Sequence, residues 1–380
     1  MKIGMFGGTF NPVHIGHVNL ARVCAGHAGL DKLLVIPTAI PPHKTSDEMP
    51  DDEHRMAMLE IAFEGLAAAE VSDLELKRGG RSYTIDTLHG LCGRYPDDRL
   101  YLIVGSDMYL TLESWHRAEA IKPLVTVLTM AREEGELERL QQEQVRLGAA
   151  GWCTEVCEEP PYVASSTAVR AGEVDLVPDA VADYIAQNGL YGCDADAYPW
   201  DYAGYEQMVR ETLSERRFVH SVNVCEQAVH LAGLYGGSVP LCRVAGMLHD
   251  ICKEAPRDRQ LHLLAGSDRI TNNLFLSQPH IWHGFAAAEY LRCALNITSR
   301  PILNAVRFHT TARADMSLTE MIVYLADLTS KERTYEGVAE LRELCEQSLM
   351  DGMAYALGYF RDTLEVVCDE TREAFDFYLE

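Results

Sequence analysis

At 380 residues the chain is long for one compact domain and natural for two, and 47% hydrophobic with 24% charged residues marks it as globular. A formal charge of −24 excludes the broad cationic surface that nucleic-acid binding needs, though a local phosphate pocket remains compatible with it. No apolar run approaches the ~20 residues of a membrane span, and eleven cysteines without a CxxC pair fit reduced thiols better than a disulfide framework.

The first predicted element is a strand, Lys2–Phe6, which starts at once with no leader-like n-region, h-region or cleavage site; the expected location is the cytoplasm. It runs into a Gly7-Gly8 turn and a helix start in which Pro12 pre-sets φ and His14 and His17 share one face. Donor groups beside a positive dipole end make an anion site, and phosphate is its usual occupant. Further strands are expected at Leu33–Pro37, Val71–Leu76, Leu100–Val104, Val125–Met130 and Trp152–Val156, with helical patterns between them at Glu53–Ala69 and Glu133–Leu147. This alternation predicts an α/β doubly wound parallel sheet, in which ligands bind beyond the C-terminal strand ends. The glycine turn, the Pro41–Lys44 loop and the Gly105-Ser106-Asp107 segment all follow strands, so they converge on one edge. Cys153 and Cys157 have ligand-like spacing but read as core thiols.

Beyond Gly192 a stretch with little apolar periodicity, Cys193–Pro199, predicts a linker, giving domains at 1–192 and 204–380 joined by 193–203. From Tyr205 onward the apolar spacing is helical, punctuated by Gly236-Gly237, Pro256, Pro279 and Pro301, so the second domain is predicted all-α. Its chemistry lies in His249-Asp250, with His220, His283, His309 and Asp327 each in or beside a helical segment; His280 competes with His283, while His230 and His262 read as ordinary histidines. Imidazoles and carboxylates without thiols suit Fe, Mn, Zn or Mg and disfavour a structural zinc site. An Asp shared between two His-rich groups is what a two-metal hydrolase needs.

Five ordered blocks in the first half carry a resemblance. Gly7-Gly8-Thr9-Phe10-Asn11-Pro12-Val13-His14-Ile15-Gly16-His17, Pro41-Pro42-His43-Lys44, Arg81 to Leu88, Gly105-Ser106-Asp107-Met108 with Trp115, and Ser165-Ser166-Thr167-Ala168-Val169-Arg170 resemble bacterial nicotinate mononucleotide adenylyltransferases of the HxGH nucleotidyltransferase superfamily. The resemblance implies a Rossmann-like fold over roughly 1–191. It implies ATP binding by Gly7, Gly8, Thr9, Phe10, His14, His17, Ser165, Ser166, Thr167 and Arg170, with His14, His17, Lys44 and Arg170 acting in catalysis. It assigns nicotinate mononucleotide to Tyr83, Thr84, Asp107 and Trp115, although Trp115 also reads as a core tryptophan. Mg²⁺ would arrive with ATP rather than in a protein cage. Tyr83-Thr84 and Trp115 count against the rival transferase that makes dephospho-coenzyme A.

The second half is similar to the HD superfamily of metal-dependent phosphohydrolases, and to its branch of symmetrical diadenosine tetraphosphatases. The matching blocks are Arg217 to His220, Met247 to Glu254, Trp282-His283-Gly284, Arg307 to Arg313 and Tyr324 to Asp327. The resemblance selects His283 over His280. It implies one metal held by His220, His249, Asp250 and Asp327 and a second completed by His283 and His309, with Asp250 bridging; iron is expected, with manganese or magnesium as alternatives. Lys253 and Arg313 would hold the polyphosphate, or be solvated helix-end charges. The whole chain is thus expected to be bifunctional, with ATP, nicotinate mononucleotide and diadenosine tetraphosphate as partners, no nucleic acid, no membrane, and a homo-oligomer left open. Other nucleotides or guanosine alarmones as the HD substrate, or a nucleotide-sensing module, are the alternatives.

Overall fold

The computed structural model describes residues 1–39, 49–266 and 272–379. Two compact units emerge, one of Met1–Ile185 with Leu190–Gly192, the other of Ala186–Gly189 with Cys193–Glu380.

The first unit is built on six strands: β1 Lys2–Gly8, β2 Lys32–Pro37, β3 Ala69–Val71, β4 Arg99–Ile103, β5 Val125–Met130 and β6 Thr154–Cys157. All pairs are parallel, in the order β3-β2-β1-β4-β5-β6. Parallel strands covered on both faces read as continuous apolar runs, and Ile3, Leu33 to Ile36, Leu102, Ile103, Val127 and Leu128 are buried accordingly. Each such side chain removed from water stabilises the fold by roughly 1.5–3 kcal/mol. The strand order reverses at β1, whose neighbours are β2 and β4. In a doubly wound sheet this switch point opens a crevice at the C-terminal strand ends.

Several sequence expectations shift here. Gly7 and Gly8 are not a turn; they extend β1, paired with Ile36 and Pro37, and the chain turns at Phe10, whose φ is 46°. Val71–Leu76 is not one strand. β3 ends at Val71 and a helix occupies Leu74–Arg78, with Glu75 in its first turn, Lys77 and Arg78 in its last, and Gly79 (φ 66°) ending it. Those charges match the helix dipole, and buried Glu75 accepts the Thr87 hydroxyl at 2.6 Å. The expected helices at 53–69 and 133–147 are Asp52–Phe63 and Leu137–Ala149.

The second unit has no strand among its described residues. Its longer helices are Tyr202–Thr212, Glu215–Tyr235, Val239–Leu248, Arg257–Leu264, Trp282–Leu295, Arg300–Phe308, Leu318–Thr329, Val338–Gln347, Leu349–Thr363 and Asp369–Leu379. They enclose one apolar core that includes Leu231, Leu248, Phe285, Val306 and Tyr324. The segment 193–203, expected as a linker, is folded into this unit. Trp200 is buried in the helical core, and Asp196 accepts the Ser238 hydroxyl. A single tryptophan gives no periodicity for a sequence reading to detect. Among the described residues, no helix is long and apolar enough to cross a membrane.

Candidate active sites

In the first unit, a cavity of about 280 Å³ lies at the switch point. The ends of β1 and β4 line it through Phe6 to Phe10 and Gly105 to Met108, and Ser165, Ser166, Thr167 and Arg170 close it from a third segment. His14 and His17 face this cavity, but not as two residues of one helical turn. The helix spans Ile15–Ala28, and His14 is its N-cap, in extended conformation at φ −141°. The two imidazoles cap each other's backbone. His14 Nδ1 accepts from the His17 N–H at 3.3 Å, and His17 Nδ1 accepts from the His14 N–H at 3.2 Å. An imidazole does here what a Ser–Glu pair does in an ordinary capping box. The rings stack with centroids 3.6 Å apart. Pro12 precedes the cap by two residues, after a cis peptide, instead of opening the helix.

This geometry fixes the chemistry of both rings. With each Nδ1 accepting, a neutral ring carries its proton on Nε2 and is a donor there. Burial, then the Arg132 charge, pushes His14 down to about 4. Burial, then His14 and Arg132, holds His17 well below the ordinary histidine range. Both are therefore neutral donors near pH 7. Gly16 sits between them because a Cβ there would lie 3.1 Å from His14 Nδ1 and 3.2 Å from the Tyr162 carbonyl.

The surrounding groups are held from several sides. Ser165 caps the short helix Ser166–Arg170 by accepting from the Ala168 N–H at 3.1 Å. The Ser166 hydroxyl donates to the Pro12 carbonyl at 2.9 Å, and Arg170 donates to the Asn11 carbonyl at 2.5 Å. Asp107 lies 3.7 Å from Arg132, which also lines the cavity and donates to the Ala164 carbonyl at 3.3 Å. Arg132 and the fully buried Arg55, which donates to the Thr9 and Thr38 carbonyls at 3.1 and 2.8 Å, escaped the sequence reading. Neither sits in a pattern; an arginine after a strand and one in a helix carry no local signal.

Tyr83, Thr84 and Trp115 are not on the wall of that cavity. Thr84 opens the helix Thr84–Arg94, whose N-cap Tyr83 makes no side-chain capping bond. The Tyr83 ring lies 4.3 Å from His116, beside Trp115, which packs against the sheet core with its indole N–H unpartnered among the described residues. Lys44 lies outside the described residues.

In the second unit five helices each deliver part of one cluster. His220 lies in Glu215–Tyr235, His249 ends Val239–Leu248 with Asp250 following, and His283 opens Trp282–Leu295. His309 ends Arg300–Phe308, and Asp327 lies in Leu318–Thr329. Gly284 lets the helices of His283 and His309 approach, since a Cβ there would stand 2.9 Å from the Arg307 carbonyl. His220 Nε2 is 3.0 Å from Asp327, and His283 and His309 Nε2 lie 3.3 and 3.5 Å from Asp250 Oδ1. Three groups, His220–His249–Asp250, His249–His309–Asp327 and Asp250–His283–His309, each gather their ligand atoms within 4.8 Å.

The donor set fits divalent cations. His249 and His309 donate through Nδ1 to the Gly246 and Val306 carbonyls at 2.8 and 2.7 Å, so their Nε2 atoms present bare lone pairs. Among the described residues His249 Nε2 and Asp250 Oδ1 are buried without a hydrogen-bond partner, and His309 Nε2 lies 3.1 Å from His283 Nε2. An imidazole lone pair and a carboxylate oxygen left unpartnered in a dry site are costly unless a cation binds them. Burial holds His249 at about 3 and His283 at about 4. Burial alone would raise the Asp250 pKa, but His249, His283 and His309 bring it well below the carboxylate range. Burial likewise opposes charge on His220, yet Asp327 and Glu332 outweigh it and raise its pKa.

Cations ring the cluster. Lys253 Nζ is 3.0 Å from His283, Arg217 donates to Asp250 at 2.9 Å, and Arg333 pairs with Asp327. Arg217 and Arg333 were not among the expected phosphate-binding residues. Arg313 was, but the structure engages it elsewhere. It makes a two-pronged pair with Glu320 at 2.6 and 2.7 Å, and Glu320 completes the capping box of Leu318–Thr329. His280 is outside the three groups, on a cavity that reaches His309 and Asp327.

The sequence matches the cytidylyltransferase-like family over residues 5–172 and the HD domain over 217–332. It is 34% identical over 196 residues to the nicotinate-nucleotide adenylyltransferase of Bacillus subtilis, covering 50% of this chain and 98% of that protein. It is 26% identical over 370 residues to the probable nicotinate-nucleotide adenylyltransferase/Ap4A hydrolase of Mycoplasma genitalium, covering 96% of this chain and 99% of that one. A crystal structure of an HD superfamily hydrolase from Clostridium acetobutylicum, described as involved in NAD metabolism, aligns with a TM-score of 0.45 and 28% identity over 47% of this chain and 97% of its own.

Proposed function

The chain belongs to the nicotinate-nucleotide adenylyltransferase family, and from that premise we propose that its first unit moves AMP from ATP to nicotinate mononucleotide. A phosphate oxygen of the mononucleotide attacks the α-phosphorus of ATP, the bond to the β-phosphate oxygen breaks, and deamido-NAD and pyrophosphate form. The observation that carries this is the reciprocal His14–His17 cap, which holds two neutral Nε2–H donors on the switch-point cavity. They donate to phosphate oxygens as charge moves toward the leaving group, without having to reorganise. Ser165, Ser166, Thr167 and Arg170 receive the β- and γ-phosphates, which enter with Mg²⁺, and Lys44 adds positive charge. Gly7, Gly8, Thr9 and Phe10 form the floor under ATP.

The open N-terminus of Thr84–Arg94, with Tyr83 and Thr84, receives the nicotinate carboxylate. Trp115 stacks on the pyridine ring, and Asp107 binds the ribose. Charge-assisted bonds are roughly twice as strong as neutral ones, so kcat/KM should favour the nicotinate over the nicotinamide mononucleotide by about tenfold or more. Equal values would contradict the assignment.

The second unit hydrolyses diadenosine tetraphosphate symmetrically. Water adds to one central phosphorus, the central P–O–P bridge breaks, and two ADP leave. His220, His249, Asp250, His283, His309 and Asp327 would hold two divalent ions, iron with manganese or magnesium as alternatives; such a pair supplies Lewis acidity at the attacking and leaving oxygens. Lys253, Arg217 and Arg333 offset the tetraphosphate charge. The eleven free cysteines support a cytoplasmic setting, and the boundary between the two activities is placed after Gly192. Chelation should abolish hydrolysis, and Fe²⁺ or Mn²⁺ should restore it. AMP plus ATP as products would reject the symmetrical cut.

A further inference from the structure

Beside the metal-ligand cluster lies a second cavity, of about 200 Å³, whose inner end is formed by His309, Thr310 and Asp327. Its other walls have a different character. Leu328 and Phe360 are apolar, and Leu364, Val366 and Val367 come from the loop between the helices Leu349–Thr363 and Asp369–Leu379. Leu364 and Val366 are 46% and 57% exposed, an uncovered apolar rim at the mouth. Deeper in, Thr311 is 2% exposed and its hydroxyl has no hydrogen-bond partner among the described residues. Its position is fixed from behind, because the Thr371 hydroxyl donates to the Thr311 carbonyl at 2.8 Å. Gln278 and His280 add polar edges.

We propose that this cavity seats one nucleobase of the nucleotide cleaved at the cluster, which rests on reading the second unit as a nucleotide hydrolase. Drug-sized ligands need pockets of ~300–1,000 Å³, so this one suits a single ring system rather than a whole dinucleotide. A nucleobase is flat and apolar on its faces and polar on its edge. The cavity offers the complement: Phe360, Leu364 and Val366 for the faces, the unpartnered Thr311 hydroxyl and the Gln278 carboxamide for the edge. The shared wall at His309 and Asp327 places the attached phosphates at the ligand cluster. The exposed rim is then the surface that substrate covers, and apolar side chains in that loop acquire a reason.

The test uses the full chain loaded with metal. Val366→Trp should block the mouth and Phe360→Ala should remove a stacking wall. Each is expected to raise KM for diadenosine tetraphosphate by about tenfold, the scale of losing a base–aromatic contact, with metal content per chain unchanged. Adenosine should inhibit chelator-sensitive hydrolysis competitively in the unmodified protein where ribose does not, and Val366→Trp should remove that inhibition. Unchanged KM and unchanged adenosine inhibition in both variants would overturn the base pocket while leaving the hydrolase reading intact. If chelator-sensitive hydrolysis is absent altogether, the hydrolase reading fails instead, and photolabelling with 8-azidoadenosine diphosphate decides the pocket. Label on the peptide 360–371 supports it; label confined to residues 1–192 overturns it.

Discussion

The two units solve opposite electrostatic problems. In the first, burial keeps His14 and His17 neutral and their mutual capping aims two N–H donors at a cavity. That arrangement receives an anion. In the second, imidazole lone pairs and two carboxylates converge on one another, with Arg217, Lys253 and Arg333 outside them. That arrangement receives cations first and an anion after. Histidine serves both because its two nitrogens divide the labour: whichever one is engaged by the backbone decides whether the other donates or accepts.

The largest expected effect breaks one side only. Asp250→Ala removes the carboxylate common to two of the ligand groups. Metal-assisted charge stabilisation is worth several kcal/mol, so hydrolysis should fall by at least about 10³-fold, with adenylyl transfer within twofold of normal. Assaying both reactions on one preparation checks this, and a parallel loss of both would break the comparison. His17→Ala is the mirror experiment. His14 keeps its cap on the residue-17 backbone N–H, so the helix should persist while one donor disappears. Single preorganised donors contribute ~10²–10³ in kcat. A rise in KM alone would mean His17 binds ground state and transition state equally.

Acid should separate the units next. A neutral buried histidine binds fewer protons folded than unfolded, so its contribution to stability is complete above pH 6.5 and is lost as the pH falls toward about 4. For His14 that amounts to about 3 kcal/mol at most. His14→Asn retains a capping acceptor without the titration. The urea midpoint of the first unit, followed by amide exchange of β1 rather than by activity, should therefore depend less on pH between 6.5 and 4 in the variant than in the parent protein. Identical slopes would contradict a depressed His14. The smallest effect belongs to Gly16→Ala. The added Cβ presses on His14 Nδ1 and the Tyr162 carbonyl, an overpacking cost of about 1 kcal/mol partly offset by helix propensity. Kinetics should register it, as a several-fold loss in kcat/KM, more clearly than thermal melting.

The same contrast explains what was legible in the sequence. A parallel sheet delivers its ligand groups as loops after strands, so Gly7 to His17, Gly105 to Asp107 and Ser165 to Arg170 are contiguous and readable as blocks. A helical cluster delivers one or two residues per helix. His249-Asp250 stood out as a pair, and His220, His283, His309 and Asp327 read only as polar residues in or beside helices. The choice of His283 over His280 and the division of the ligands between two metals came from the resemblance. Arginines were harder to read in both units. Arg55 and Arg132 depend on partners distant in sequence. Arg217 fell inside a matching block, but its ion pair with Asp250 lies 33 residues on. Arg333 sits in no block, although Asp327 is six residues before it. Arg313 shows the converse. Its position beside a histidine block suggested phosphate, but Glu320, seven residues on, claims it as part of a helix cap. The helix Leu74–Arg78 was hidden because its apolar residues also alternate; only its end charges and Gly79 betrayed it.

Metal content of the full chain, measured by mass spectrometry after removal of loosely bound ions, tests the division of labour most directly. Two divalent ions per chain are expected in the parent protein and in His17→Ala, and close to none in Asp250→Ala. Metal lost from His17→Ala, or retained in full by Asp250→Ala, would contradict it.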